Sequence, residues 1–564
     1  MLRVNERPLE YPFTYRWKKI MKNTKGVPLI VFILLLLIQS LGACGGGGGG
    51  DGGSGAGAED AVATSRLSGT ISFERVPHDP VSFGLDYENT YISPGRGLVV
   101  SAVYVGEGSQ ADTGVTDENG FYELVVEEGS EVRVRVQARM VGDGQPGWDI
   151  RVADNTAGNA LYAMESEPVT VSGDTELNLI ATSGWDGQEY SGARVAAPFA
   201  ILDTIYGAVE FLIESGQEDR LPDLRVYWSP NNRRSETTNR SAGELWSSHY
   251  RPRNGSIYLL GMAGEDTEEF DQHVILHEFA HYYEHRLSRW DSIGGPHSVA
   301  QWLDHRLAFN EGFATAFAVI VTGDPVYRDS LGEGQAGGWG YDVRTNPWGV
   351  VGWYGEASMI QLIYGLAGLM GDGDERRGFP AIHQVLTGEL STGEAPVSIF
   401  PFVHQLKQQY PAAFQDISAL VQAQQIAEVV DGWATLETNN AGAEDVLPLY
   451  RDLVVGGSPV TLCANSQFDS AGDGNKLSVR QFLRLEVAEQ RSFSLLVEGD
   501  EAAKPKFYLL ENGQRHHYSV ASEDGRSASL EATLEPGTYV LEVTDGDMIK
   551  GEKTGRICME VSIS

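Results

Sequence analysis

Two histidines and a glutamate form the most chemically informative pattern in the sequence, His277-Glu278-Phe279-Ala280-His281. In an α-helix, residues four apart lie on one face one turn apart, so both imidazoles could bind a single metal ion. The H-E-x-x-H spacing predicts a Zn²⁺ site of two histidines in which the glutamate is a general base. Glu278 follows His277 by about 100° around the helix, where its carboxylate reaches a water at the metal without ligating the metal itself.

A catalytic zinc site needs a third protein ligand and one open position. The sequence after the motif offers a glutamate, Glu311, and two histidines, His297 and His305, as alternatives. The long metzincin signature requires Gly and His at positions that are Glu284 and Leu287 here, which excludes that group of zinc enzymes.

A second apolar helix is expected around Phe309-Asn310-Glu311-Gly312-Phe313-Ala314-Thr315, packed antiparallel across the first. H-E-x-x-H followed by Asn-Glu-x-x-Ala resembles the gluzincins, which include thermolysin-like and aminopeptidase-like metallopeptidases. The resemblance covers roughly residues 250–370. It implies that Glu311 is the third ligand of one Zn²⁺ per chain. It also implies that Thr315 contacts one of the zinc ligands without binding the metal itself. Thermolysin-like enzymes have an aspartate with that role at this position.

The remaining parts of a peptidase cleft are predicted on both sides of these helices. Residues 256–261 precede the motif as a strand, and in zincins this strand is an exposed edge that pairs with an extended peptide. Residues 332–355 are rich in Gly, Trp and Tyr, and aromatic loops of this kind often line binding sites. Zincins usually need a donor for the developing oxyanion. Tyr354 and Tyr341 are the candidates for that catalytic role.

Three folded segments are predicted around these residues. Residues 66–182 consist of short strands with period-two alternation. The turn and strand at 117–122 resemble the carboxypeptidase regulatory-like β-sandwich, although another small β-sandwich fits as well. Residues 188–445 have strands followed by long helical patterns, which indicates an α+β, zincin-like catalytic domain.

Residues 456–564 return to strands, and Leu534–Val543 resembles the pre-peptidase C-terminal β-sandwich found beside secreted peptidases. The expected fold class is therefore multidomain, an α+β zincin-like domain between two all-β sandwiches. Cys463 and Cys558 lie near the two ends of this last segment. In an exported protein, these two cysteines are expected to form a disulfide bond.

The N-terminus has the pattern of a secretory signal in residues 1–44, with lysines followed by an apolar run that ends in small residues. Leu41-Gly42-Ala43-Cys44 resembles the bacterial lipobox, which implies lipidation of Cys44. Gly45 after the cysteine favours the outer membrane by the same resemblance. An uncleaved anchor helix is the alternative, and translation could start at Met21 rather than Met1. Residues 45–65 are a Gly-rich flexible tether.

The charge of the chain excludes several kinds of partner. Forty-two basic and 78 acidic residues give a formal net charge of −36, which argues against binding nucleic acid through a general basic field. A mean hydropathy of −0.23 excludes a multi-span membrane protein. The sequence therefore predicts a lipid-anchored zinc metallopeptidase of the bacterial envelope that acts on peptides or proteins. The alternatives are an inactive zincin that binds a partner at the surface, and a zinc hydrolase of non-peptide amides or esters.

Overall fold

The computed structural model describes residues 62–522 and 525–564. The predicted signal segment 1–44, the lipidation of Cys44, the choice of start codon and most of the tether lie outside the described residues. No helix in the described part of the chain is long and apolar enough to cross a membrane.

The N-terminal strands form two packed sheets, as the period-two pattern predicts. The valines of the sixth strand alternate with polar residues, and Val132, Val134 and Val136 are fully buried in the core between the sheets. The strands are β1 Thr64–Arg75, β2 Tyr91–Pro94, β3 Leu98–Tyr104, β4 Gln110–Val115, β5 Phe121–Glu127, β6 Glu131–Gly142, β7 Trp148–Asp154, β8 Ala160–Leu161, β9 Ala163–Glu165, β10 Val169–Thr170, β11 Thr175–Glu176 and β12 Leu179–Ala181.

The following segment contains the helices and a second set of strands. Its strands are β13 Leu224–Trp228, β14 Arg233–Arg234, β15 Glu244–Leu245, β16 His249–Arg251, β17 Ser256–Leu259, β18 Gly261–Met262, β19 Asp266–Thr267, β20 Val326–Leu331 and β21 Gly337–Asp342. Its helices are α1 Ala197–Glu214, α2 Gln272–Leu287, α3 His305–Thr322, α4 Glu356–Met370, α5 Glu375–Thr387, α6 Glu389–Thr392, α7 Ile399–Gln409 and α8 Phe414–Ala423.

The larger N-terminal sheet continues into this segment, in the strand order β16-β17-β13-β7-β6-β3-β4. β13 pairs in parallel with β7, with Val226 opposite Val152. The predicted boundary between 66–182 and 188–445 therefore does not divide the sheet. The polar, Gly-containing stretch between the two segments leads into α1, and the chain returns to the same sheet at β13.

The strand before the metal-binding motif is not the sheet edge that the sequence suggested. β17 lies between β13 and β16, and all four of its residues are buried. β16 is the last strand in the sheet order and pairs antiparallel with β17. The edge next to α2 is therefore formed by His249–Arg251.

The two helices of the predicted site pack directly against each other. α2 buries Phe279, Ala280 and Tyr283, and α3 is buried from His305 to Val321. α3 begins after Asp304, whose side chain accepts a hydrogen bond from the amide of Arg306, and it ends at a left-handed glycine. Such a helix has no solvent face, so its polar side chains are held within the protein.

The C-terminal strands form a β-sandwich of two sheets, ordered β22-β24-β30-β26-β27 and β23-β31-β25-β29-β28. The disulfide between Cys463 and Cys558 joins β23 to β31 and confirms the predicted pairing. The sandwich has its own apolar core. Its strands are β22 Tyr450–Asp452, β23 Val460–Asn465, β24 Arg480–Val487, β25 Arg491–Gly499, β26 Pro505–Glu511, β27 Gln514–Tyr518, β28 Val520–Ala521, β29 Ser527–Leu534, β30 Gly537–Asp545 and β31 Arg556–Ile563.

Candidate metal centre

α2 and α3 bring His277, His281 and Glu311 together, the three residues that the motif and the resemblance predict as ligands. The Nε2 atoms of the two histidines are 3.1 Å apart. Glu311 Oε2 lies 3.2 Å from His277 Nε2 and 3.3 Å from His281 Nε2. One oxygen and two nitrogens therefore converge on one point between the helices.

The spacing and chemistry of these donor atoms fit a tetrahedral zinc ion. Zinc–nitrogen and zinc–oxygen bonds of about 2.0–2.1 Å place neighbouring donors of a tetrahedron about 3.3 Å apart. Two imidazoles and one carboxylate are also a donor set of catalytic zinc sites, which keep the fourth position for water or substrate. The His277 side chain is 16% exposed, so the cluster is reachable from solvent.

His277 has a partner at its other ring nitrogen, whereas the corresponding nitrogen of His281 is buried without a hydrogen-bond partner among the described residues. Thr315 Oγ1 lies 3.1 Å from His277 Nδ1. Thr315 therefore contacts a candidate zinc ligand, as the resemblance predicts. His281 Nδ1 faces Glu284 Oε2 at 3.6 Å, and Asn310 Nδ2 donates to the same oxygen at 2.6 Å. Burial raises the pKa of Glu284 to about 7. A partner such as Thr315 fixes the orientation of a metal-binding imidazole. Glu284 was not predicted to contact His281. The i,i+3 spacing of the two residues, which places them on the same face of the helix, could have indicated this contact.

Glu278 is held apart from the three converging donors. Its Oε2 accepts a hydrogen bond from the backbone amide of Tyr250 at 2.5 Å. Tyr250 belongs to the edge strand β16, so this amide points away from β17 and towards α2. The carboxylate therefore lies between the edge of the sheet and the metal-binding face of the helix, which is the position expected of a base rather than of a ligand.

Two further titratable residues adjoin the cluster. His297, in the connection between α2 and α3, places Nε2 3.4 Å from Glu311 Oε2 and 3.9 Å from Glu356 Oε2. Its Nδ1 faces the carbonyl oxygen of Gly295 at 3.0 Å. Burial lowers the pKa of His297, but the charge of Glu311 outweighs burial and raises it to about 10. His297 was considered as a third ligand, and the structure places it beside Glu311.

Glu356, the first residue of α4, was not predicted. Its side chain is buried, and among the described residues its Oε2 has no hydrogen-bond partner. Burial raises its pKa, and His297 partly opposes the shift. Gly312 permits this approach, because a side chain there would collide with Met359 of α4. Glu356 could not be predicted because a single glutamate at the start of a helix has no characteristic spacing from the H-E-x-x-H motif.

The other predicted residues have different positions. His305, a rival ligand, is buried with Nε2 2.8 Å from the hydroxyl of Tyr450, where α3 contacts the C-terminal sandwich. The hydroxyl of Tyr354 donates to Asn439 Oδ1 at 3.0 Å, so it is engaged there and not aimed at the cluster.

Tyr341 lies on β21 and packs against Trp348 and Trp339. Burial raises the pKa of its hydroxyl well above the ordinary value, and the charge of Glu356 adds to the shift. The structure places Tyr341 among the aromatic side chains of the β20–β21 hairpin and of the loop that follows.

Comparisons with known proteins bear on the same region. Residues 214–376 match the family model described as the Mycolysin C-terminal domain, and a comparison with curated proteins finds no match. The pre-peptidase C-terminal domain of a Bacillus anthracis collagenase is 12% identical, with a TM-score of 0.16 over 20% of this chain and 94% of that domain. The lysozyme inhibitor PliG of Aeromonas hydrophila is 12% identical, with a TM-score of 0.14 over 20% of this chain and 99% of that protein.

These TM-scores are too low to support an argument about fold or function. The family match covers less than a third of the chain, but it includes the H-E-x-x-H helix, Glu311 and Glu356. The segment that carries the candidate metal centre is therefore similar to a peptidase-associated domain.

Proposed function

We propose that the protein is a zinc-dependent metallopeptidase of gluzincin type that hydrolyses peptide bonds in peptides or proteins. The observation that carries the proposal is the convergence of His277, His281 and Glu311 at 3.1–3.3 Å. Glu278 lies on the adjacent face, bonded only to the amide of the edge strand in the contacts described above. The similarity of this region to a peptidase-associated domain supports the same class of enzyme.

The residues around the centre have different roles in the proposed hydrolysis. Zn²⁺ held by the two histidines and Glu311 would act as a Lewis acid and lower the pKa of water at the site. Glu278 accepts a proton from the attacking water and then delivers it to the leaving amine. The amide of Tyr250 orients the Glu278 carboxylate for both transfers.

His297 is the residue best placed to donate to the oxygen of the scissile carbonyl as negative charge develops on it. Its Nε2 faces the cluster while Nδ1 is fixed by the Gly295 carbonyl. Donors that are already oriented stabilise such an oxyanion without further rearrangement. Tyr341 is the second candidate for this role.

The substrate is proposed to be an extended peptide that lies along β16. This strand ends the sheet next to α2, and an edge strand offers backbone groups to an added chain. The amide of Tyr250 already bonds Glu278, so the peptide pairs with the other free backbone groups of the strand. β16 is short, so it contacts only a few residues of substrate. This favours cleavage at accessible, unfolded segments of a peptide or protein.

The enzyme is proposed to be anchored in the bacterial envelope, at the outer membrane, through a lipid on Cys44. The support is the Leu41-Gly42-Ala43-Cys44 pattern after an apolar run, followed by a Gly-rich tether. The strongly acidic chain keeps the body of the protein away from anionic surfaces and nucleic acid. The membrane is then a partner only through the anchor.

The proposed activity can be tested with the full chain on denatured casein and on a panel of small esters and amides. Wild type should cleave casein, and Glu278→Gln should reduce the rate at least about 10²-fold because it cannot accept the water proton. The exposed Glu218→Gln is the matched control and should be fully active. No turnover of any substrate would indicate an inactive zincin that binds a partner. Turnover of esters alone would indicate a non-peptide hydrolase.

A further inference from the structure

Four carboxylates gather at the start of the metal-binding helix, outside the site described above. They belong to Asp266 in β19, Glu268 in the turn that follows, Asp271 immediately before α2, and Asp329 in β20. One carboxylate oxygen from each lies within 4.8 Å of the others. The cluster therefore joins the chain just before α2 to a strand that follows α3.

Three of these carboxylates each contain a buried oxygen that has no hydrogen-bond partner among the described residues. These atoms are Asp266 Oδ1, Glu268 Oε2 and Asp329 Oδ1. Asp266 and Glu268 are each 2% exposed, and Asp271 is fully buried. A buried carboxylate oxygen without a donor is strongly unfavourable, so three in one place indicate a missing ligand.

The positive charges next to the cluster do not neutralise it. Arg234 contacts Asp266 Oδ2 at 2.7 Å, and His78 contacts Asp271 Oδ1 at 2.5 Å. Even if His78 is protonated, these two cations leave two of the four negative charges uncompensated.

The remaining donors to the cluster among the described residues are neutral: two hydroxyls and the backbone amide of Ser330, which lies 3.3 Å from Asp271 Oδ1. Ser248 donates to Glu268 Oε1 at 2.7 Å, and Ser330 donates to Asp271 Oδ2 at 2.7 Å. Burial raises the pKa of Glu268 well above its ordinary value and that of Asp266 to about 6. This is the response of carboxyl groups that lack a sufficient cation.

We propose that Asp266, Glu268, Asp271 and Asp329 bind a Ca²⁺ ion. Ca²⁺ takes oxygen ligands at about 2.3–2.6 Å, so two oxygens on opposite sides of the ion lie about 4.8 Å apart. The four oxygens of the cluster all lie within this distance of one another. The donors are all carboxylate oxygens, which suit a hard cation rather than zinc. The smaller Mg²⁺ demands a tighter octahedron and retains several waters.

The ion would hold the first turn of α2 against β20. Asp271 occupies the N-cap position of α2, but its side chain makes no capping bond and is directed to Ser330 and His78. His277 is six residues further along, or about 9 Å of helix. The proposed Ca²⁺ is therefore structural, and it fixes the position of the helix that carries the candidate zinc ligands. It does not depend on the proposed peptidase activity.

The experiment measures calcium binding and thermal unfolding of the full chain, neither of which requires an active enzyme. After treatment with EGTA and dialysis, the protein should bind about one Ca²⁺ per chain in a calorimetric titration. Millimolar Ca²⁺ should raise Tm by about 3 °C or more, and equimolar Mg²⁺ should raise it much less. Zinc content is followed in the same samples, so that release of zinc is not mistaken for release of calcium.

Glu268→Gln should abolish the calcium-induced rise in Tm. It should not lower the Tm of the calcium-free protein, because it puts a neutral side chain of the same shape in place of a buried carboxyl group. Glu333→Gln, an exposed change four residues after Asp329, is the matched control and should respond to calcium as wild type does. The proposal is overturned if wild type binds no calcium, or if Glu268→Gln retains the full calcium response. If Glu268→Gln does not fold, the titration of wild type alone decides, since it requires no variant.

Discussion

A fully buried glutamate, Glu542 of β30, takes part in the contact between α3 and the C-terminal sandwich. Glu542 Oε2 accepts from Arg306 Nη1 at 2.8 Å, and Oε1 accepts from Arg480 Nη1 at 2.6 Å. Arg515 lies 3.7 Å from the same Oε1. Because Arg306 is on the helix that carries Glu311, the ion cluster ties the sandwich to the candidate metal centre.

The predicted perturbation is Glu542→Gln, which keeps the shape of the side chain and removes its charge. Burial raises the pKa of Glu542, but the arginines outweigh burial and lower it from 4.5 to about 2. A depression of this size corresponds to a stabilisation on the order of 3 kcal/mol. Breaking a buried ion pair typically costs about 3–5 kcal/mol, which agrees in magnitude. We therefore expect Glu542→Gln to lower the free energy of unfolding by about 3 kcal/mol at pH 7.

The pH dependence has a definite sign. Because the folded-state pKa is depressed, the stabilisation is complete above the unfolded value of 4.5 and is lost as pH falls towards about 2. Less than half of the difference between wild type and Glu542→Gln should therefore remain at pH 3. Urea unfolding at both pH values measures it, with the exposed Glu489→Gln in the same sandwich as the control. A difference below about 0.5 kcal/mol at pH 7, or one that is unchanged at pH 3, would refute this reasoning.

Three further predictions concern single contacts or residues. Thr315→Val removes the oxygen beside His277 Nδ1 and should weaken zinc binding about 10–100-fold in a chelator competition; unchanged affinity would contradict it. Replacing Cys463 and Cys558 by serine opens a loop of 95 residues and should lower the free energy of unfolding by up to about 4–5 kcal/mol; equal urea midpoints would count against it. Cys44→Ser should abolish acyl labelling, and a variant that still incorporates palmitate would disprove lipidation.

The parts of the site that follow local sequence rules could be predicted. His277 and His281 share a helix face because their spacing equals one turn, and the Asn-Glu-x-x-Ala pattern identified Glu311 on a second helix. Thr315 followed from the same pattern, one turn after Glu311. The disulfide could be predicted because few cysteines were available to pair.

Contacts between distant segments left no such signal. β7 and β13 are separated by about 70 residues, and the sequence of each strand is compatible with many partners, so the shared sheet was not predicted. Glu356 reaches the site only because α4 packs against α3. The spacing of residues along the sequence does not indicate that two helices will pack in this way.

The most direct test of the central claim is the zinc content of wild type, Glu278→Gln and Glu311→Gln, measured on the purified full chains after dialysis. The two variants carry the same chemical change on neighbouring helices, so each is the control for the other. If Glu311 is a ligand and Glu278 is a base, wild type and Glu278→Gln retain about one zinc per chain, and Glu311→Gln loses it. Full zinc retention by Glu311→Gln would contradict the proposed centre, and His297 would then be the next residue to test as a ligand.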